Sequence, residues 1–278
     1  MATATARSGK LESVGLHVED TGGAGRPVVL LHGWPMSAQV WTEQVRALTG
    51  AGHRVVSYDR RGFGRSDVRG DDYGYDALAD DLAAVMTELD LTEATILGFS
   101  MGGGEVARYV SRHGQQRVHS LVFAAAVPPY LLHTEDNPEG PLPREGAEQM
   151  SAGLRDDRET FFEGFTTTFF TANGELRVTD AQRQEALALC LESDQEAALA
   201  CIDSFSFTDF RADLEAVTVP TLVIHGDADE IVPLEGAGQR THAAIAGSQL
   251  VVIPNGPHGI NTSHPREFNE ALVSFCAN

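Results

Sequence analysis

The pentapeptide Gly98-Phe99-Ser100-Met101-Gly102 is the strongest chemical signal in the sequence. A serine with glycine two residues away on each side suits a tight, strained turn, where bulkier flanking residues would collide with crossing backbone. A serine hydroxyl is a poor nucleophile at neutral pH, so it needs a general base, and the base needs an orienting acid. The chain offers ten histidines. On a strand–serine–helix turn the partners follow in the order serine, acid, histidine, which removes His17, His32 and His53. His225 lies within an aliphatic run, His242 in a predicted surface helix, and His264 at a helix start before Pro265. His258 sits in Asn255-Gly256-Pro257-His258-Gly259, a loop directly after the last aliphatic run. His258 is therefore the expected base, with His264 second. For the acid, no carboxylate follows Phe123 until Glu135, whereas His225 is followed by Gly226-Asp227-Ala228-Asp229-Glu230. Asp229 suits the orienting role better. Asp227 stands close to its strand and suits bracing the turn through backbone N–H groups.

A tetrahedral intermediate also needs N–H donors aimed at its oxyanion. One is the backbone N–H of Met101, next after the nucleophile. The other is expected in His32-Gly33-Trp34-Pro35, the loop that closes another aliphatic run. Pro35 has no N–H, so Trp34 is the expected donor, and its ring would wall a pocket. His32 is read as bonding its own loop backbone. Asp59-Arg60-Arg61-Gly62-Phe63-Gly64-Arg65-Ser66 contains a GxG but lacks the third glycine of a dinucleotide loop. It is read as an arginine-rich structural brace. No phosphate loop, metal-ligand spacing or haem motif stands in the sequence, so neither cofactor nor metal is expected.

These residues need a frame. Val28 to Leu31, His53 to Tyr58 and Ala94 to Leu97 are short aliphatic runs that each end in a turn residue, as strands buried on both faces do. Helix-length patterns, Ala38 to Thr49 and Tyr75 to Leu89, lie between them. Alternating strands and helices predict a parallel sheet with right-handed crossovers. The segment before Val28 is expected to add antiparallel edge strands. The alternation runs through Val118 to Phe123, stops over residues 128–215, and returns after Pro220 with Thr221 to His225 and Gln249 to Ile253. The expectation is a core of residues 1–127 and 216–278 with a helical cap, residues 128–215, that carries no strand. Eight of the 13 phenylalanines lie between Phe161 and Phe210. Phe161, Phe165 and Phe169 share a helix face. Trp34, Phe99, Phe161 and Phe165 are the candidates for lining a pocket.

Composition narrows the class. Among 278 residues, 40 acidic and 20 basic side chains give a net charge of −20, which disfavours nucleic acid and anionic membranes as partners. Cys190, Cys201 and Cys276 cannot all pair and read as free thiols. Met1 to Gly25 lacks the apolar core of a secretory signal, and no apolar run approaches the ~20 residues that span a bilayer. A cytoplasmic protein is expected, with self-association left open.

The chain resembles the cofactor-free haloperoxidase and aryl-esterase group of the α/β hydrolases. The resemblance rests on Leu31-His32-Gly33-Trp34-Pro35, Asp59 to Ser66, Gly98 to Tyr109, Thr208-Asp209-Phe210-Arg211, His225 to Asp229 and Pro257-His258-Gly259. It implies a mostly parallel eight-stranded sheet with helices on both faces and an inserted cap. It places nucleophile, acid and base on Ser100, Asp229 and His258, and the oxyanion donors on Trp34 and Met101. It also implies hydrolysis of small or aromatic esters, with lactones as a further class. Perhydrolysis is implied in the same site: peroxide replaces water and the peracid oxidises halide. Haloperoxidation as the main activity is one alternative; a lyase or a small-molecule receptor on the same fold is another.

Overall fold

The computed structural model describes residues 6–68, 70 and 72–278. Residues 1–5, part of the segment read for a signal peptide, lie outside the described residues. Eight strands form one sheet: β1 (Arg7–Leu11), β2 (Leu16–Asp20), β3 (Pro27–Leu31), β4 (Arg54–Tyr58), β5 (Ala94–Phe99), β6 (Val118–Ala124), β9 (Thr221–Gly226) and β10 (Gln249–Ile253). Between β6 and β9 a small hairpin carries β7 (Thr171–Ala172) and β8 (Glu175–Leu176). The sheet order is β1-β2-β4-β3-β5-β6-β9-β10. β2 pairs antiparallel with both β1 and β4, and every other pairing is parallel, so β2 alone runs against the rest. Burial explains the composition of the strands. β5 and β9 are buried at every position and read as mostly apolar runs, whereas β2 alternates buried and half-buried residues.

The helices are α1 (Thr42–Gly50), α2 (Tyr75–Glu88), α3 (Met101–His113), α4 (Arg144–Asp156), α5 (Arg158–Phe170), α6 (Asp180–Leu191), α7 (Gln195–Phe207), α8 (Arg211–Glu215), α9 (Gly238–Ala244), α10 (Ile260–Ser263) and α11 (Pro265–Cys276). The pattern at Ala38 begins as a single 3-10 turn, Ala38–Trp41, before α1. Pro265 opens α11, the position where its missing N–H costs nothing. The chain leaves β3 through α1 toward β4 on one side. It leaves β4 through α2, and β5 through α3, toward the other side. With right-handed crossovers, opposite directions put α1 and α3 on opposite faces of the sheet. Helix contacts agree: α1 packs on α11, whereas α2 packs on α3, α3 on α8 and α8 on α9. The direction reverses between β3 and β5, and the carboxyl ends of the strands flanking such a reversal form a crevice. Trp34 follows β3 there, and Ser100 follows β5.

Residues 128–215 carry α4 to α8, but the expectation that they hold no strand is corrected by the β7–β8 hairpin. Asn173-Gly174 closes it, both residues at positive φ, as a two-residue hairpin turn requires. Three of the five helices here, α5, α6 and α7, begin on side-chain caps. Asp157 accepts from Thr160 N at 3.1 Å, Thr179 and Gln182 form a capping box, and Asp194 accepts from Ala197 N at 2.9 Å. The Trp34 indole donates to Ala198 O at 3.0 Å and Gly259 N to Phe169 O at 2.8 Å, tying α7 and α5 to the sheet's loops. Among the described residues no helix is long and apolar enough to cross a membrane. Cys190, Cys201 and Cys276 are free and buried, and burial pushes all three thiols up.

Candidate active site

Ser100 stands between the last residue of β5 and the first of α3 with φ 53° and ψ −119°. A non-glycine residue in that region stores about 1–3 kcal/mol of strain, held here by three backbone hydrogen bonds. Ser100 N donates to Ala124 O at 2.9 Å, and Gly103 N and Val127 N donate to Ser100 O at 3.0 and 3.2 Å. The flanking glycines are required by close approach. A Cβ on Gly98 would stand 2.6 Å from Gly103 N, and one on Gly102 would stand 2.7 Å from Leu31 O. The turn thus thrusts the Ser100 side chain outward at the carboxyl edge.

His258 arrives from the loop after β10. Its Nε2 lies 2.9 Å from Ser100 Oγ, and its Nδ1 lies 2.7 Å from Asp229 Oδ2. Asp229 is buried, and burial alone would favour its neutral form. The charges and hydrogen bonds of His258 and His225 outweigh that and hold the carboxyl below the usual carboxylate range. An ionised carboxylate only accepts hydrogen bonds. So the proton on His258 sits at Nδ1, and Nε2 presents its lone pair to the serine hydroxyl. The other carboxylate oxygen, Oδ1, accepts from Ile231 N at 2.9 Å and Val232 N at 2.8 Å. His225, buried in β9, donates from Nε2 to Val232 O at 2.8 Å and lies 3.3 Å from Asp229 Oδ2. It backs the acid, a contact that its place inside an aliphatic run concealed. Asp227 accepts from Asn255 N at 2.6 Å and braces the turn between the two loops. His264 occupies the N-cap of α11 without a side-chain cap bond, and its Nδ1 lies 2.9 Å from Ser263 Oγ.

The loop after β3 passes directly over the serine: a Cβ on Gly33 would stand 3.1 Å from Ser100 Cβ. Neither Trp34 N nor Met101 N enters the turn and loop hydrogen bonds of the described residues. Beneath, the loop is clamped. His32 donates from Nδ1 to Gly33 O at 2.9 Å and accepts at Nε2 from Arg60 N at 2.9 Å. Burial, with the Arg60 charge beside it, pushes His32 down to about 3, so the ring stays neutral. Arg60 donates from Nη2 to His32 O at 2.6 Å and from Nε to Glu105 at 2.6 Å, a buried ion pair between the brace and α3. Asp59 accepts from Ala38 N at 2.8 Å and from Arg65 Nε at 2.9 Å. The arginine-rich segment is a brace, as its residues suggested.

Above Ser100 and His258 opens a cavity of about 210 Å³. Trp34, Phe165, Phe205, Leu131 and Met150 stand in its apolar wall, and residues 230–233 line it too. Two sequence candidates stand elsewhere. Phe99 packs on Trp41 and on the His258 ring, 5.4 Å between centroids, and so backs the histidine. Phe161 packs edge-on to Trp34 from outside the cavity, at 6.3 Å. Of the residues not singled out, Glu230 to Pro233 follow Asp229 directly, a contiguity that could have found them. Phe205 and Met150 carried no signal beyond being apolar. Among the described residues no three His, Cys, Asp or Glu gather to hold a metal ion.

Comparisons with known proteins agree with this architecture. The α/β-hydrolase fold pattern matches residues 26–265. A putative non-heme chloroperoxidase of Synechocystis is 43% identical over 95% of both chains. A bifunctional esterase/perhydrolase of Acinetobacter calcoaceticus is 35% identical over 95% of this chain and 96% of its own. The crystal structure of a bromoperoxidase from Bacillus anthracis superposes with a TM-score of 0.94 at 45% identity, covering 99% of this chain and 100% of that one. With its sheet order, its strained serine turn and these relatives, the chain belongs to the α/β-hydrolase family, in the branch that holds the non-heme haloperoxidases.

Proposed function

We propose that the protein is a serine hydrolase that cleaves carboxylic esters through an acyl-enzyme on Ser100. The observation that carries the reading is the continuous chain from Ser100 Oγ to His258 Nε2 and from His258 Nδ1 to Asp229, at 2.9 and 2.7 Å. Ser100 Oγ attacks the ester carbonyl as its proton passes to His258 Nε2. Asp229 holds the ring orientation and stabilises the imidazolium. The oxyanion is received by the backbone N–H groups of Trp34 and Met101. His258 then gives the proton to the departing alcohol, takes one from the water that attacks the acyl carbon, and returns it to Ser100 Oγ as the acid leaves. Peroxide in place of water gives a peracid, which oxidises halide outside the site. The relative named esterase/perhydrolase favours this second outcome of the same intermediate. In this reading residues 128–215 act as the cap: Met150 of α4, Phe165 of α5 and Phe205 of α7 contribute to the wall with Leu131, Pro141 and Leu142 of the loop before them, and α8 returns the chain to the core. The family implies small-molecule substrates.

Ser100→Ala tests both activities. Hydrolysis of nitrophenyl acetate should fall by about 10⁶, and peroxide-dependent bromination should vanish with it. Retention of a tenth of the esterase rate overturns the serine assignment. Bromination that survives the loss of Ser100 overturns the peracid route.

A further inference from the structure

Apart from Ser100 and His258, the wall of the cavity is apolar and aromatic except at Glu230. Glu230 is the only carboxylate that lines it, and no lysine or arginine does. The side chain is exposed, and among the described residues Glu230 forms no ion pair. It follows Asp229 directly, so its Cα lies about 3.8 Å along the chain from that of the acid. Ile231, Val232 and Pro233 continue the same wall. A substrate that reaches Ser100 therefore enters a cavity lined by an unneutralised negative charge and by the rings of Trp34, Phe165 and Phe205. Aromatic faces attract cations and offer nothing to anions. A carboxylate at the mouth of a low-dielectric cleft focuses its field into that cleft.

We propose that Glu230 makes this pocket a charge filter, which admits neutral and cationic esters and holds off anionic ones. The proposal rests on the esterase reading above, and it assigns the substrate class: uncharged or positively charged small esters rather than hemiesters of dicarboxylic acids. One unpaired charge at this range shifts the relative rate for a monoanion by about three- to tenfold. The shift should shrink in high salt, since the residue is exposed.

The test uses three butyrates of similar shape: butyrylcholine, its neutral carbon isostere dimethylbutyl butyrate, and carboxyethyl butyrate. The quantities compared are ratios of kcat/KM to that of the neutral ester, so that any effect of Glu230 on His258 cancels. Glu230→Gln should raise the anion-to-neutral ratio about three- to tenfold and lower the cation-to-neutral ratio. Glu230→Lys should carry both further. Glu93→Gln removes the same unit of net charge at the opposite edge of the sheet, before β5 rather than after it, and should move neither ratio. Unchanged ratios in Glu230→Gln, with the neutral ester still turned over, overturn the filter. So does a change of the same sign for cation and anion, which would report packing. If wild type turns over none of the three, the esterase reading itself fails.

Discussion

Asp229→Asn changes one atom, and the structure dictates which way the new amide must point. Asp229 Oδ1 accepts from Ile231 N at 2.9 Å and Val232 N at 2.8 Å. An asparagine keeps both bonds only with its oxygen there. Its NH2 then occupies the place of Oδ2, 2.7 Å from His258 Nδ1 and 3.3 Å from His225 Nε2. Facing a donor, His258 must offer a lone pair at Nδ1, so its proton moves to Nε2, the atom 2.9 Å from Ser100 Oγ. A protonated Nε2 cannot take the serine's proton. The comparable substitution in a well-studied triad costs about 10⁴ in kcat, which corresponds to about 5.4 kcal/mol at 1.36 kcal/mol per decade. Steady-state hydrolysis of nitrophenyl acetate between pH 6 and 9 measures it, beside a urea denaturation curve. Folding should suffer far less than catalysis, by about 1–3 kcal/mol for a lost charge-assisted bond. A variant within tenfold of wild type would mean that Asp229 does not set the tautomer. Asp229→Ala is the weaker experiment, since it also leaves two buried backbone N–H groups without an acceptor.

Two further predictions concern the brace below the oxyanion loop. His32 takes up a proton near pH 6.5 when unfolded but only near about 3 when folded, so its contribution to stability is complete above pH 6.5 and drains away as the pH falls. Between pH 6.5 and 4.5 wild type should lose about 2 kcal/mol more than His32→Gln, measured by urea denaturation at each pH, and equal slopes would show that His32 does not titrate this way. Glu105→Ala should cost about 3–5 kcal/mol, because it strands the buried Arg60 guanidinium. Chemical denaturation checks it, and a loss under 1 kcal/mol would mean that the pair is solvated.

The catalytic candidates were legible because each stands at a place where the backbone itself is constrained. Ser100 is framed by glycines that close approach demands. Asp229 and His258 follow strands whose apolar runs end in turn residues, and Pro35, lacking an N–H, pointed to Trp34. The β7–β8 hairpin was legible too: Asn173-Gly174 is a strong two-residue turn signal, hidden by a surrounding stretch that is otherwise helical. The pocket was not legible in the same way. Spacing of four puts Phe161 and Phe165 on one face of α5 but cannot say what that face meets. Trp34 fills the space beside both, 5.2 Å from Phe165 and 6.3 Å from Phe161, and only Phe165 opens on the cavity. Phe205 comes from another helix, brought in by tertiary packing that no local pattern encodes.

Water and peroxide would be activated by the same His258 Nε2 and attack the same acyl carbon, so nothing in the hydrogen-bond chain from Ser100 to Asp229 distinguishes them. Discrimination between two small acceptors must then come from how each is solvated and placed beside the acyl group. Those conditions are set by the wall of Trp34, Phe165 and Phe205 and by residues 230–233. The hydrogen-bond chain stands at the carboxyl edge of the sheet, whereas Met150, Phe165 and Phe205 of the wall come from helices of the insertion and can be repacked one side chain at a time. Substitution in the wall should therefore move the ratio of peracid to acid while leaving acylation intact, and substitution in the triad should abolish both together.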